Sequence, residues 1–257
     1  MPGIMPSLGT DSRIIFLPKE HGSWSLAFEP VIFGLLVAPS SAGAALALGT
    51  AAAFFMRRPL KAYLAHRQRT TGVVLAVLAM CAAMGFVEVL LLGSWNQLWP
   101  LVPALPLAGL FLYWDAQNEG RAAAAELAGC ALFALLPATM ATLSGYGSGF
   151  ALSLAAFMLI RSLPVVLAVR TWLRVRKGEH PAISPAVLVT IGALVAALAL
   201  AGLHGAPWVV VLLAAVACLR LLPLVTPWRP KWPARRIGMF EAVHGLVYVA
   251  TLALMCR

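Results

Sequence analysis

The Lys and Arg residues of this chain crowd into alternate joints between apolar segments. That segregation constrains the fold more than any other feature. Apolar stretches long enough for a hydrocarbon core of about 30 Å lie near 18–38, 42–58, 71–92, 98–114, 122–143, 149–172, 183–203, 206–224 and 236–256. Of the 19 cations, Arg13 and Lys19 precede the first stretch, and Arg57, Arg58, Lys61, Arg67 and Arg69 lie between the second and third. Arg121 follows the fourth; Arg170, Arg174, Arg176 and Lys177 follow the sixth; Arg229, Lys231, Arg235 and Arg236 precede the ninth. Arg220 closes the eighth, Arg161 falls inside the sixth, and Arg257 alone is left for the opposite side. The joints 1–2, 3–4, 5–6 and 7–8 carry no Lys or Arg.

With 61% hydrophobic and 11% charged residues, the composition is that of a membrane protein rather than a soluble domain. The predicted fold is therefore all-α, a polytopic transmembrane bundle of about nine spans. Under the positive-inside rule its N-terminus is cytoplasmic and its C-terminus external. A short segment 1–17 precedes one transmembrane domain, 18–257. The opening residues lack the apolar core and small-residue site of a cleaved leader, so the first span is expected to be retained in the inner membrane. The net charge of +10 reads as a topology signal, so the bilayer is the expected partner and nucleic acid is not. Cys81, Cys130, Cys218 and Cys256 stand singly in apolar runs and read as packing residues. Prolines 100, 103 and 106 predict an irregular start to the fourth helix.

Polar residues inside the spans are the candidate site. In "LPKEHGSWSLAFEP", Lys19 and Glu20 occupy the first turn, and His21, Ser25 and Glu29 make one stripe at i, i+4 and i+8. In "RRIGMFEAVHGLVYV", Glu241, His244 and Tyr248 make a second stripe at i, i+3 and i+7. Ionisable groups within a span cost a few kcal/mol and face a partner or a cavity. Two readings stand side by side: the stripes line a cytoplasmic-facing polar cavity between the first and last helices, or they lock those helices together. In the cavity reading His21 and His244 both face the interior. Arg161, with Glu29 or Glu126 as its neutralising partner, and the acidic joint Asp115, Asn118, Arg121 and Glu126 complete the walls, with Arg170 nearby. Pro164 is expected to break the helix beyond Arg161. Two His and two or three carboxylates could also hold a divalent metal, but no metal site is assigned and the cofactor stays open. The basic joints, with Arg57, Arg58, Lys61, Arg174 and Arg176, set topology and can also contact acidic head groups or cradle a phosphate. An anionic lipid or an isoprenoid is the ligand class they suit.

"PKEHGSW" (18–24), "RRPLKAY" (57–63), "RAAAAELAG" (121–129), "VRTWLRVRKG" (169–178) and "RRIGMFEAVHG" (235–245) resemble the YwiC-like family of bacterial membrane proteins. The resemblance implies a membrane-embedded helical protein and specifies no reaction. The layout of nine helices, with polar joints after the second and sixth, is similar to that of UbiA-type prenyltransferases. Those enzymes hold magnesium and a prenyl diphosphate on Asp-rich motifs in these two joints. Here the matching joints contain no Asp, and Glu179 is their sole carboxylate, so no catalytic residue carries over. Three functions stay open on the sequence: a YwiC-like membrane protein without assigned chemistry, an enzyme or binder of a polyprenyl phosphate or similar amphiphile, and a small-solute or proton-coupled transporter.

Overall fold

The computed structural model describes residues 21–117, 119–120, 122–226 and 231–256, with side chains from Trp24 onward. Nine α-helices make up these residues: α1 (His21–Val37), α2 (Ser41–His66), α3 (Arg69–Leu92), α4 (Leu101–Ala116), α5 (Ala123–Leu143), α6 (Ser148–Arg176), α7 (Ser184–His204), α8 (Val209–Val225) and α9 (Ala234–Met255). A 3-10 turn, Trp95–Gln97, precedes α4. The expected segments thus become helices, and the proline-rich stretch starts three residues late, at Leu101.

Two helices run past their apolar stretches. α2 continues through Pro59 and the cations Arg57, Arg58 and Lys61 before ending at Arg67, whose φ of 47° is left-handed. The Ala, Leu, Lys and Arg residues there are good helix formers, so the helix continues beyond the hydrophobic limit. α6 likewise runs unbroken through Pro164 for 29 residues, about 43 Å. The expected break beyond Arg161 does not occur.

Five helices, α3, α5, α6, α7 and α9, are long and apolar enough to cross a membrane, against the nine spans read from hydropathy. α4 and α8 are 16 and 17 residues long, short for a hydrocarbon core, as is the apolar part of α1, Trp24–Val37. α2 mixes its apolar stretch with cations. The outer surface is nevertheless apolar: Val73, Val77, Met80, Met84 and Leu91 of α3, and Leu188, Ile191 and Val195 of α7, are exposed. Such faces belong in lipid rather than water.

α1 packs on α9, α5 and α2. The expected adjacency of first and last helices is present. α3 packs chiefly on α2, forming a peripheral hairpin. Its closest approach is at Gly85, where a Cβ would sit 2.6 Å from the Gly49 nitrogen and 2.7 Å from the Ala45 carbonyl oxygen; small residues permit this backbone contact. The interior includes Phe33, Phe157, Met158, Leu154 and Leu252, all fully buried. Thr139 and Thr190 return their hydroxyls to carbonyls four residues back, at 2.9 and 2.7 Å, so they remain satisfied without water.

Candidate functional site

α1, α6, α8 and α9 bring four charged side chains into the interior. Glu29, Arg161 and Glu241 are 6%, 3% and 6% exposed, which makes them interior charges whose energetics depend on each other. Arg161 Nη2 lies 3.5 Å from Glu29 Oε1 and donates to the Glu241 carbonyl oxygen at 2.8 Å. Its Nη1 lies 3.8 Å from Glu241 Oε2. Arg220 Nη1 lies 2.5 Å from Glu241 Oε1 in an ion pair without hydrogen-bond alignment. Ser25 donates to Glu29 from one turn earlier on α1. Two positive and two negative groups leave the cluster neutral when all are ionised, the arrangement that lets charges persist away from water.

Satisfaction is incomplete. Among the described residues, Arg161 Nε, Arg220 Nε and Glu241 Oε2 have no hydrogen-bond partner. Buried polar groups are ordinarily paired, so the cluster retains unused donors and one unused acceptor. Gly245 makes the cluster possible: a Cβ there would overlap the Glu29 carboxylate. Tyr248, one turn further along α9, donates to the Phe157 carbonyl at 2.7 Å.

The expected site residues separate into groups. Ser25, Glu29, Arg161 and Glu241 converge. Tyr248 ties α9 to α6. His244 is half-buried, with Nδ1 2.8 Å from the Phe240 carbonyl and its ring 4.1 Å from the Phe240 ring. Asp115 does not join the cluster; it binds Arg57 Nη2 at 2.6 Å and Lys61 Nζ at 3.0 Å. Glu126 pairs with Arg170 at 2.8 Å and not with Arg161. Lys19, Glu20, Asn118 and Arg121 lie outside the described residues, as does the His21 side chain.

The cations expected to cradle a phosphate are mostly engaged. Arg57 and Lys61 hold Asp115, Arg174 holds Glu179 at 2.6 Å, and Arg176 donates to the Trp232 carbonyl at 3.1 Å. Arg58 also has a partner. The Arg174 hydrogen bond holds the exposed Glu179 carboxyl below the usual carboxylate range. Among the described residues no three His, Cys, Asp or Glu side chains converge as a metal site would require.

Sequence reasoning missed Arg220 and Gly245. Arg220 reads as an end-of-helix cation, and only the packing of α8 on α9 turns it toward Glu241. Gly245 follows His244 in the "EAVHG" stretch, and that placement beside a stripe of polar residues was its one available signal.

Residues 17–142 match the model of a family described as YwiC-like protein. The matched stretch runs from the PKEHG motif through α5 and contains Glu29 and Asp115. It ends before α6, so the two later motifs, and with them Arg161, Arg220 and Glu241, lie outside it. No curated protein and no solved structure matches the chain.

Proposed function

We propose, for a chain that belongs to the YwiC-like family over residues 17–142, that the four-charge cluster is a proton-linked centre through which a small anionic solute crosses the membrane. The observation that carries this reading is that Arg161 and Glu241, both more than nine-tenths buried, keep polar atoms without a hydrogen-bond partner among the described residues. A pure helix lock gains nothing from unused donors in hydrocarbon, where each costs free energy. Unused guanidinium N–H groups suit an anion. Protonating Glu241 or Glu29 removes a negative charge from beside Arg161 and leaves the guanidinium to the solute. The same groups are then recharged by proton release.

In this reading all nine helices cross the inner membrane, with the N-terminus cytoplasmic and the C-terminus external. The cation-rich end faces the cytoplasm and draws anions toward the charge cluster where α1 packs on α9. Asp115, Glu126, Arg170 and His244 line the approach to it. A UbiA-like enzyme or binder of polyprenyl phosphate has less support, because Arg57, Lys61, Arg174 and Arg176 already have partners within the chain.

The test uses proteoliposomes loaded with a pH-sensitive dye and challenged with gradients of inorganic phosphate, acetate or lactate. The proposal expects internal acidification that requires the protein and at least one of these anions, and that is lost in Glu241→Gln. Absence of proton movement with all three anions, together with a lowered melting temperature for Glu241→Gln, would make the cluster a structural lock.

A further inference from the structure

A second polar feature lies apart from the central cluster, on an exposed side of the α2–α3 hairpin. The two helices touch backbone to backbone at Gly49 and Gly85. Near their joint they leave a groove of about 600 Å³ lined by Tyr63, Arg67, Arg69, Gly72, Val73 and Ala76, among others. A Cβ on Gly72 would sit 3.0 Å from the Tyr63 ring, so the glycine lets the ring sit close against α3.

Charge distinguishes this groove from the rest of the cation-rich end. Arg57, Lys61, Arg170 and Arg174 each hold a carboxylate. Arg67 and Arg69 are exposed, and among the described residues their side chains make no hydrogen bond, ion pair or ring contact. Below them the groove turns apolar. Val73, Ala76 and Ala79 follow Arg69 by four, seven and ten residues and share one helix face. Ten residues of helix span about 15 Å, half of a hydrocarbon core of about 30 Å. The groove therefore presents two unpaired guanidiniums at interface depth and an apolar track one leaflet deep.

We propose that this groove binds an anionic phospholipid, with its phosphate between Arg67 and Arg69 and one acyl chain along Val73, Ala76 and Ala79. Guanidinium groups bind phosphate oxygens through paired, charge-assisted hydrogen bonds. Neither arginine has to surrender a carboxylate to do so. The site rests on the membrane placement of the hairpin and is independent of the solute reading.

Native mass spectrometry of the delipidated full chain in mild detergent tests it, with phosphatidylglycerol, phosphatidylcholine and inorganic phosphate as probes. Wild-type protein should retain phosphatidylglycerol at least about tenfold more tightly than phosphatidylcholine, since the paired charges reward a net negative head group. Arg67→Gln/Arg69→Gln should abolish that preference. Arg235→Gln/Arg236→Gln, at the same end of the molecule, should preserve it. Ala76→Phe, which keeps both charges and fills the chain track from the lipid side, should weaken phosphatidylglycerol several-fold. It also carries the test if the double arginine variant does not fold. Unchanged lipid preference in Arg67→Gln/Arg69→Gln or in Ala76→Phe, an equal loss in the Arg235/Arg236 control, or displacement by equimolar inorganic phosphate would each overturn the site.

Discussion

Gly245 and Glu29 occupy adjoining volumes: the space a side chain would take on the α9 glycine is filled by the α1 carboxylate. The contact explains how a carboxylate one helix away reaches Arg161, and it couples helix packing to the charge cluster. Gly245→Ala should push the Glu29 carboxylate away from Arg161 and cost about 1–3 kcal/mol, the range for stranding a buried polar group. In the double variant Glu29→Ala/Gly245→Ala the added methyl has room, so the double variant should lose less than the two single losses together. Thermal melts in detergent measure the cycle. Gly192→Ala in α7, where a Cβ meets nothing within 4 Å, is the control. It should be neutral or stabilising, because Ala is the better helix former by up to about 1 kcal/mol.

Arg161 is shared between two carboxylates, so its removal is worse than the loss of one pair. Arg161→Met should destabilise by about 3–5 kcal/mol, because Glu29 and Glu241 are left buried with Arg220 as their one paired cation among the described residues. Adding Glu29→Gln to Arg161→Met returns the count to one negative and one positive charge. That double variant should recover part of the loss. If it melts no higher than Arg161→Met alone, charge balance is not what holds the cluster.

The Asp115 pair offers the opposite case. Its carboxylate bridges Arg57 and Lys61, whose side chains are 26% and 41% exposed, and water screens such pairs. Asp115→Asn should cost only about 0.2–1 kcal/mol. Lys61 Nζ also donates to the Asp115 backbone carbonyl at 2.6 Å, a bond the substitution leaves in place. A loss as large as that of Arg161→Met would mean that this corner is drier than its exposure indicates.

Helices were legible where hydropathy alone decides: all nine apolar stretches are helical, with most ends displaced by a few residues. The extension of α2 to His66 was not, because a hydropathy window stops at Arg57 while helix propensity does not. Arg161 and Glu29 stood out as charges inside spans, whereas Asp115, expected among the cavity walls, pairs instead with Arg57 and Lys61. Arg220 was hidden by its position near a helix end, since no spacing within α8 reveals that Glu241 of α9 lies beside it. Gly245 was hidden for a different reason. A glycine is read as space only once the neighbour that fills it is known.

The number of spans is the last quantity to test, and two joints decide it. α4 spans about 24 Å and α8 about 26 Å at 1.5 Å per residue, less than a hydrocarbon core, but a short helix can cross by local thinning and interfacial anchoring. Trp95 and Trp99 flank the start of α4, and Tyr113 and Trp114 its end, where aromatic residues favour the two interfaces. The ion pairs favour crossing too. Arg57 near the end of α2 meets Asp115 at the end of α4, Glu126 at the start of α5 meets Arg170 late in α6, and Arg176 meets the Trp232 carbonyl ahead of α9. Those contacts gather alternate joints at one end of the bundle, as nine successive crossings require. With a cytoplasmic N-terminus, nine crossings put joints 93–97 and 144–148 outside, and 62–68 and 175–180 inside. If only the five long apolar helices crossed, 144–148 would be inside and 175–180 outside. Paired reporters active on one side only, fused at 144–148 and 175–180, should read external and cytoplasmic respectively; the reverse pair of signals would leave five spans and place Arg161 in a helix of opposite orientation.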